Sequence, residues 1–73
     1  MTWEEFKKKA EKLGYYDCDD FVKIYIYKKG ISVEFYENGD IEIDGFVILV
    51  DIEYDRMLLI MKALNYKESK WNR

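Results

Sequence analysis

The chain has 73 residues, 49% of them hydrophobic and 18% aromatic, with a formal charge of −3, no histidine and one cysteine. One domain (residues 1–73) is expected, stable only if its small core is densely packed, and without histidine it lacks the commonest general base and the usual nitrogen metal ligand. No apolar run reaches a membrane span, the start Met1-Thr2-Trp3-Glu4-Glu5 is unlike a signal peptide, and a lone thiol suits a reducing, cytoplasmic setting.

The first predicted element is a helix from Trp3 to Leu13. Thr2 sits at the N-cap and Glu5, three residues on, completes a capping box. Trp3, Phe6, Ala10 and Leu13 share one face, charged residues cover the rest, and Gly14 supplies a left-handed end.

After a polar connector, residues 15–20, the period changes from helical to two. Val22, Ile24 and Ile26 alternate with Lys23, Tyr25 and Tyr27, as in a strand with one buried face. A Lys29-Gly30 turn leads to a second strand, residues 31–37, with Ile31, Val33 and Phe35 inward. A two-residue turn there sets Ile26 opposite Val33 and Ile24 opposite Phe35. Glu37-Asn38-Gly39 turns the chain again. A two-residue loop would set Phe35 against Glu42, whereas a three-residue loop with Gly39 in the left-handed position sets Phe35 against Ile41 and Val33 against Ile43. The second keeps one face apolar and is the expected register.

Gly45 reads as a bend or bulge. Residues 46–50 then either extend the third strand or lead into the last helix, and their β-branched content favours extension. A final helix starts within residues 51–54 and runs to about Tyr66, or to Trp71 with a frayed end, with Tyr54, Met57, Leu58, Ile60, Met61 and Leu64 on a broad apolar face. The expected fold class is α+β: an α-β-β-β-α chain, its three-stranded antiparallel meander covered on one face by both helices.

Little chemistry is on offer. Cys18 lies among Asp17, Asp19 and Asp20, whose charges disfavour a thiolate. Those acids resemble a fragment of a calcium loop but lack its glycine and terminal glutamate. Glu34 and Glu42 should face each other across two strands, as solvated neighbours rather than an acid–base pair. No catalytic residue, metal site or cofactor is expected.

Two surfaces remain. The uncovered sheet face should carry Lys23, Tyr25 and Tyr27, then Ser32, Glu34 and Tyr36, then Asp40, Glu42 and Asp44. Along a strand, alternate residues lie about 6.6 Å apart, close to the phosphate spacing of a nucleic-acid strand. That permits mimicry of a polyanion, although charged strands also serve simply to prevent edge pairing. Between Asp40 and Asp55 stand six carboxylates and no basic residue; beyond them Arg56, Lys62, Lys67, Lys70 and Arg73 face Glu68 alone. Such a division favours a basic protein partner over direct nucleic-acid binding. The alternative use of Lys23, Tyr25, Tyr27 and the basic tail, stacking on single strands, runs against the net charge. The second surface is the back of the last helix. There Leu59, Ala63 and Tyr66 form an apolar strip suited to a homodimer seam, or to cover by the chain's own end at Trp71.

Three segments resemble small proteins encoded by phages and prophages of low-GC Gram-positive bacteria. They are the opening Met1-Thr2-Trp3-Glu4-Glu5-Phe6-Lys7-Lys8-Lys9-Ala10, the turn Glu37-Asn38-Gly39-Asp40-Ile41, and Asp55-Arg56-Met57-Leu58-Leu59-Ile60-Met61-Lys62-Ala63-Leu64. The resemblance implies an accessory protein that binds a host or phage protein, defence nucleases included, and carries over no catalytic residue. The partner-binding set expected on these grounds is Tyr25, Tyr27, Glu34, Tyr36, Asp40, Glu42 and Asp44. No membrane association is expected. The alternative is a self-assembling module joined through Leu59, Ala63 and Tyr66.

Overall fold

A computed structural model describes residues 1–26 and 30–71, with the backbone alone described at residues 25, 26 and 65–71. In chain order it contains α1 (Trp3–Lys12), β1 (Tyr16–Asp17), β2 (Phe21–Ile26), β3 (Ile31–Tyr36), β4 (Ile41–Ile43), β5 (Phe46–Leu49) and α2 (Tyr54–Trp71). The class is α+β. The sheet has five strands rather than three, in the order β1-β2-β3-β4-β5, and each neighbouring pair is antiparallel. Among the described residues no helix is long and apolar enough to cross a membrane.

The start of α1 is fixed by its capping box. Glu5 N–H donates to Thr2 Oγ1 at 3.2 Å, and Thr2 N–H donates to Glu5 Oε1 at 3.0 Å. From there Trp3, Phe6 and Ala10 are buried with Val22, Val33, Phe35 and Ile41 of the sheet and Met57, Leu58 and Met61 of α2, in one cluster. Aromatic stacking joins the helices, with ring centroids 5.3 Å apart for Trp3 and Phe6 and 5.2 Å for Phe6 and Tyr54. The Trp3 indole N–H donates to the Asp19 carbonyl at 3.0 Å, tying α1 to the connector before β2.

In the first hairpin the register differs from expectation. Ile26 pairs with Ile31, Ile24 with Val33 and Val22 with Phe35, so the connection comprises residues 27–30 instead of a two-residue turn. The offset is two residues, an even number, and every side chain therefore keeps its face. The hydrophobic pattern specifies parity strongly and loop length weakly. Tyr27 and the Lys29 half of the expected turn lie outside the described residues.

The second hairpin has the expected register, Phe35 with Ile41 and Val33 with Ile43. Tyr36 N–H donates to the Asp40 carbonyl at 2.8 Å and Gly39 N–H to the Tyr36 carbonyl at 3.0 Å. Gly39 has φ +98°. Its α-hydrogen side also faces the chain leaving β5, so the position needs glycine twice over: for its backbone angle and for the approach of residues 51 and 52.

Beyond β4 the expectation fails. Residues 46–49 do not extend the third strand; they form a separate strand that returns beside it. Asp44 and Gly45 have φ of +51° and +83°, two successive left-handed residues, which is the arrangement of a tight two-residue hairpin. Asp-Gly between apolar runs is the strongest short-range signal for that turn, and Gly45 considered alone conceals it. The turn is locked onto β3: Ser32 N–H donates to Asp44 Oδ1 at 3.0 Å, and Asp44 N–H donates to the Ser32 carbonyl at 3.0 Å. In the returning strand Phe46 pairs with Ile43, Val47 with Glu42 and Leu49 with Ile41, with a bulge between the last two pairs.

Candidate functional site

Antiparallel pairing brings side chains from four strands into one row on the sheet face away from the core. Lys23 pairs with Glu34, Glu34 with Glu42, and Glu42 with Val47. Beside it, Phe21 pairs with Tyr36, their rings stacked with centroids 4.9 Å apart. Tyr36 is the centre of the acidic part. Loss of solvent raises its hydroxyl pKa above the ordinary value, and the charges of Glu42, Glu34 and Asp20 raise it further. The phenol therefore stays protonated and available to donate among three carboxylates.

Only Glu42 of the three expected strip carboxylates lies within β4. Asp40 belongs to the preceding turn, where its N–H donates to Asn38 Oδ1 at 3.0 Å and its Oδ2 accepts from Asn38 Nδ2 at 3.3 Å. Asp44 opens the following turn, with its carboxylate on the Ser32 N–H. An evenly spaced row of three along one strand is thus not what the backbone makes. The fold instead joins Glu42 to Glu34 across the strands and to Asp20 from the connector. Of the remaining expected contact residues, the Tyr25 side chain and Tyr27 lie outside the described residues.

The acidic surface continues around the end of the sheet. A hollow of about 510 Å³ is lined by Asp20, Tyr36, Glu37, Asn38 and Tyr54. A neighbouring one of about 340 Å³ shares Glu37, Asn38 and Tyr54 and adds Glu53 and Asp55. Tyr54 closes the junction by donating its hydroxyl to the Glu37 carbonyl at 2.7 Å; burial first, and Glu37 second, raise its pKa. Asp20, Glu37, Glu53 and Asp55 come from the connector, the β3–β4 turn, the approach to α2 and its first turn. Sequence reasoning missed this convergence because nothing in their spacing brings them together. Cys18 is half-buried, and among the described residues no group of three or more side chains is arranged to hold a metal ion.

On the other side of the molecule, Leu59 is 65% exposed on the back of α2, and Ala63 is exposed one turn later. The Tyr66 side chain, third member of that strip, and the cover expected from Trp71 lie outside the described residues. Among the described residues the largest exposed apolar group is elsewhere. Phe46, Val47, Ile48, Leu49 and Val50 are each between 43% and 73% exposed. Strand content in this segment was expected; its position at a sheet edge was not, since a third strand continued past a bend would have kept β3 as a neighbour.

No protein-family model matches this chain, and neither does any curated protein or solved structure.

Proposed function

We propose that the chain is a non-enzymatic accessory protein of phage or prophage type that binds a protein partner through its carboxylate face, occupying a basic nucleic-acid site as an anti-defence inhibitor would. The carboxylate band carries this reading: Glu34, Glu42 and Asp20 around Tyr36, continued by Glu37, Glu53 and Asp55. Like charges directly opposite each other on antiparallel strands destabilise a sheet, and Glu34 is directly opposite Glu42. A pairing that works against the fold is consistent with a use for the charge. The sheet holds these acids in place before binding, so ordering them costs little further entropy, and the attraction should weaken as salt rises.

The test is a double charge reversal, Glu34→Lys with Glu42→Lys. Asp44 is left intact because its carboxylate holds the turn. Immobilised wild-type chain is expected to retain a nucleic-acid-handling protein from host lysate, displaceable by DNA, and the variant to lose it with its circular dichroism unchanged. Equal capture by a folded variant refutes the reading.

A second reading rests on Leu59, whose 65% exposure on the back of α2, with Ala63 exposed one turn later, suits a self-assembling module. Light scattering of wild type and Leu59→Asp decides it: a dimer reduced to monomer supports the seam, and equal masses remove it.

A further inference from the structure

The two edges of the sheet are unlike. β1 is two residues long, contains Asp17 and is followed by Asp19 and Asp20, so it offers little to pair with and carries charge where it does. β5, at the other end of the strand order, has a hydrogen-bonded neighbour on one side only. It has no Lys, Arg, Pro or acidic residue from Phe46 to Val50, and one bulge is its sole protection. All four of its residues are exposed, on both faces, where a half-buried strand would alternate. Together with Val50 they present an apolar patch on the order of 500 Å², at the upper end of what monomers expose.

The ends of this strand carry the opposite character. Asp44 and Asp51 bound it, both exposed and both at positive φ; Asp44 accepts from Ser32 N–H through Oδ1 and keeps its negative charge at one end, and Asp51 stands at the other. The stretch between them, Gly45 to Val50, spans roughly 17 Å at strand rise. Glu42 lies beside its middle, opposite Val47.

We propose that β5 is a strand-addition edge that takes up an extended segment of a partner protein, about five β-forming apolar or hydroxyl residues long, with Lys or Arg at both ends. Main-chain hydrogen bonds to the open side of β5 provide the affinity, and Asp44 and Asp51 select the basic flanks. A second copy of the chain fits less well. Antiparallel self-pairing centred on Ile48 would bring Asp51 of each copy beside the Asp44 end of the other, setting carboxylates together at both seams. The patch also falls short of the roughly 800 Å² per partner of a standard stable interface. This proposal rests on the reading of the protein as a binder of basic partners and names the mode of contact.

Fluorescent synthetic peptides provide the probe: five alternating Val and Thr residues with two Lys at each end, the same core with Glu ends, and two Lys-ended forms N-methylated at alternate amides. Anisotropy should show the Lys-ended peptide binding about tenfold more tightly than the Glu-ended one. One N-methyl pattern should abolish binding and the other leave it intact, because only one row of amides faces β5. Asp44→Asn with Asp51→Asn keeps the turn chemistry, since Asn tolerates positive φ and retains a carbonyl acceptor. In that variant the preference for Lys ends should shrink to about threefold or less. Equal binding of Lys-ended and Glu-ended peptides overturns the proposal, as does indifference to both N-methyl patterns. A wild-type chain that is dimeric by light scattering and indifferent to every peptide assigns the edge to a second copy instead. If the peptides fail while the Glu34/Glu42 reversal still abolishes capture, only the edge assignment falls. Peptide binding with capture insensitive to that reversal discards the acidic-face reading alone.

Discussion

Gly39→Ala probes the point where the path of the chain and the acidic surface depend on each other. The residue sits at φ +98°, and a Cβ-bearing residue in left-handed backbone costs about 1–2 kcal/mol. Its Cβ would lie 3.1 Å from Ile52 N, 3.2 Å from Asp51 Cα and 3.3 Å from the Ile52 carbonyl oxygen, all backbone atoms without a rotamer to change. Relief by movement pulls apart the hydrogen bond from Ile52 N–H to the Gly39 carbonyl, 2.9 Å long, at a further cost of about 1 kcal/mol. Alanine restricts the unfolded chain and returns about 0.4–1 kcal/mol. The net loss is then about 2 kcal/mol. Gly45→Ala is the control: φ there is +83° but nothing lies within 4 Å of the added carbon, so only the backbone angle is penalised and the loss is smaller than at Gly39 by about 1 kcal/mol. Urea unfolding followed by tryptophan fluorescence measures both, and Trp3 in the core gives the signal. Equal midpoints for the two variants would refute the close approach of residues 51 and 52 to this turn.

Tyr15→Phe should leave stability unchanged or raise it by about 1 kcal/mol, because the ring is 3% exposed and its hydroxyl has no hydrogen-bond partner among the described residues; a clear loss in thermal midpoint would contradict the packing. Trp3→Phe keeps the stacking partner of Phe6 but removes the bond to Asp19, so unfolding should become easier by about 1–2 kcal/mol, measured by urea titration with tyrosine fluorescence. Glu42→Lys replaces repulsion across from Glu34 with attraction, worth about 0.5 kcal/mol, but gives up the hydrogen bond from the Tyr36 hydroxyl, worth about 1 kcal/mol. Stability in the same assay should therefore change by less than about 1 kcal/mol; a larger loss would mean that Glu42 has a further structural partner. At alkaline pH, Tyr15, Tyr36 and Tyr54 all have pKa values raised above 10.0 by burial, the first by burial alone. Above pH 10 the unfolded chain therefore releases protons that the folded chain keeps, and stability falls as pH rises through the folded values. Denaturant midpoints at pH 8, 10 and 11 should decline between the last two, and a rise there would reverse the assignment.

Part of the candidate site was legible in the primary structure and part was not. Glu34 opposite Glu42 follows from alternation plus one correctly placed loop, since parity and the Gly39 turn leave that pair no other position. The link from Tyr36 to Asp20 does not follow, because a connector's side chains obey no period. Nor does the hollow around Glu37 and Tyr54, which forms only when the start of α2 docks beside the β3–β4 turn.

By itself the sequence determined what short-range physics controls: the capped first helix, the inward and outward faces of β2 to β4, the Gly39 turn, and the separation of acidic from basic segments. The capping hydrogen bonds join residues three apart, and the alternation of a strand is local. Tertiary structure decided how the strands meet and end. It set the four-residue first connection, because a shift by two costs the pattern nothing. It also turned residues 46–49 back as an edge strand, because one β-branched run satisfies an extended continuation and a hairpin equally until Asp44 and Gly45 both adopt positive φ. Which apolar residues remain in water follows from that reversal: β5 lies outside the area the helices cover, and no residue of it is buried.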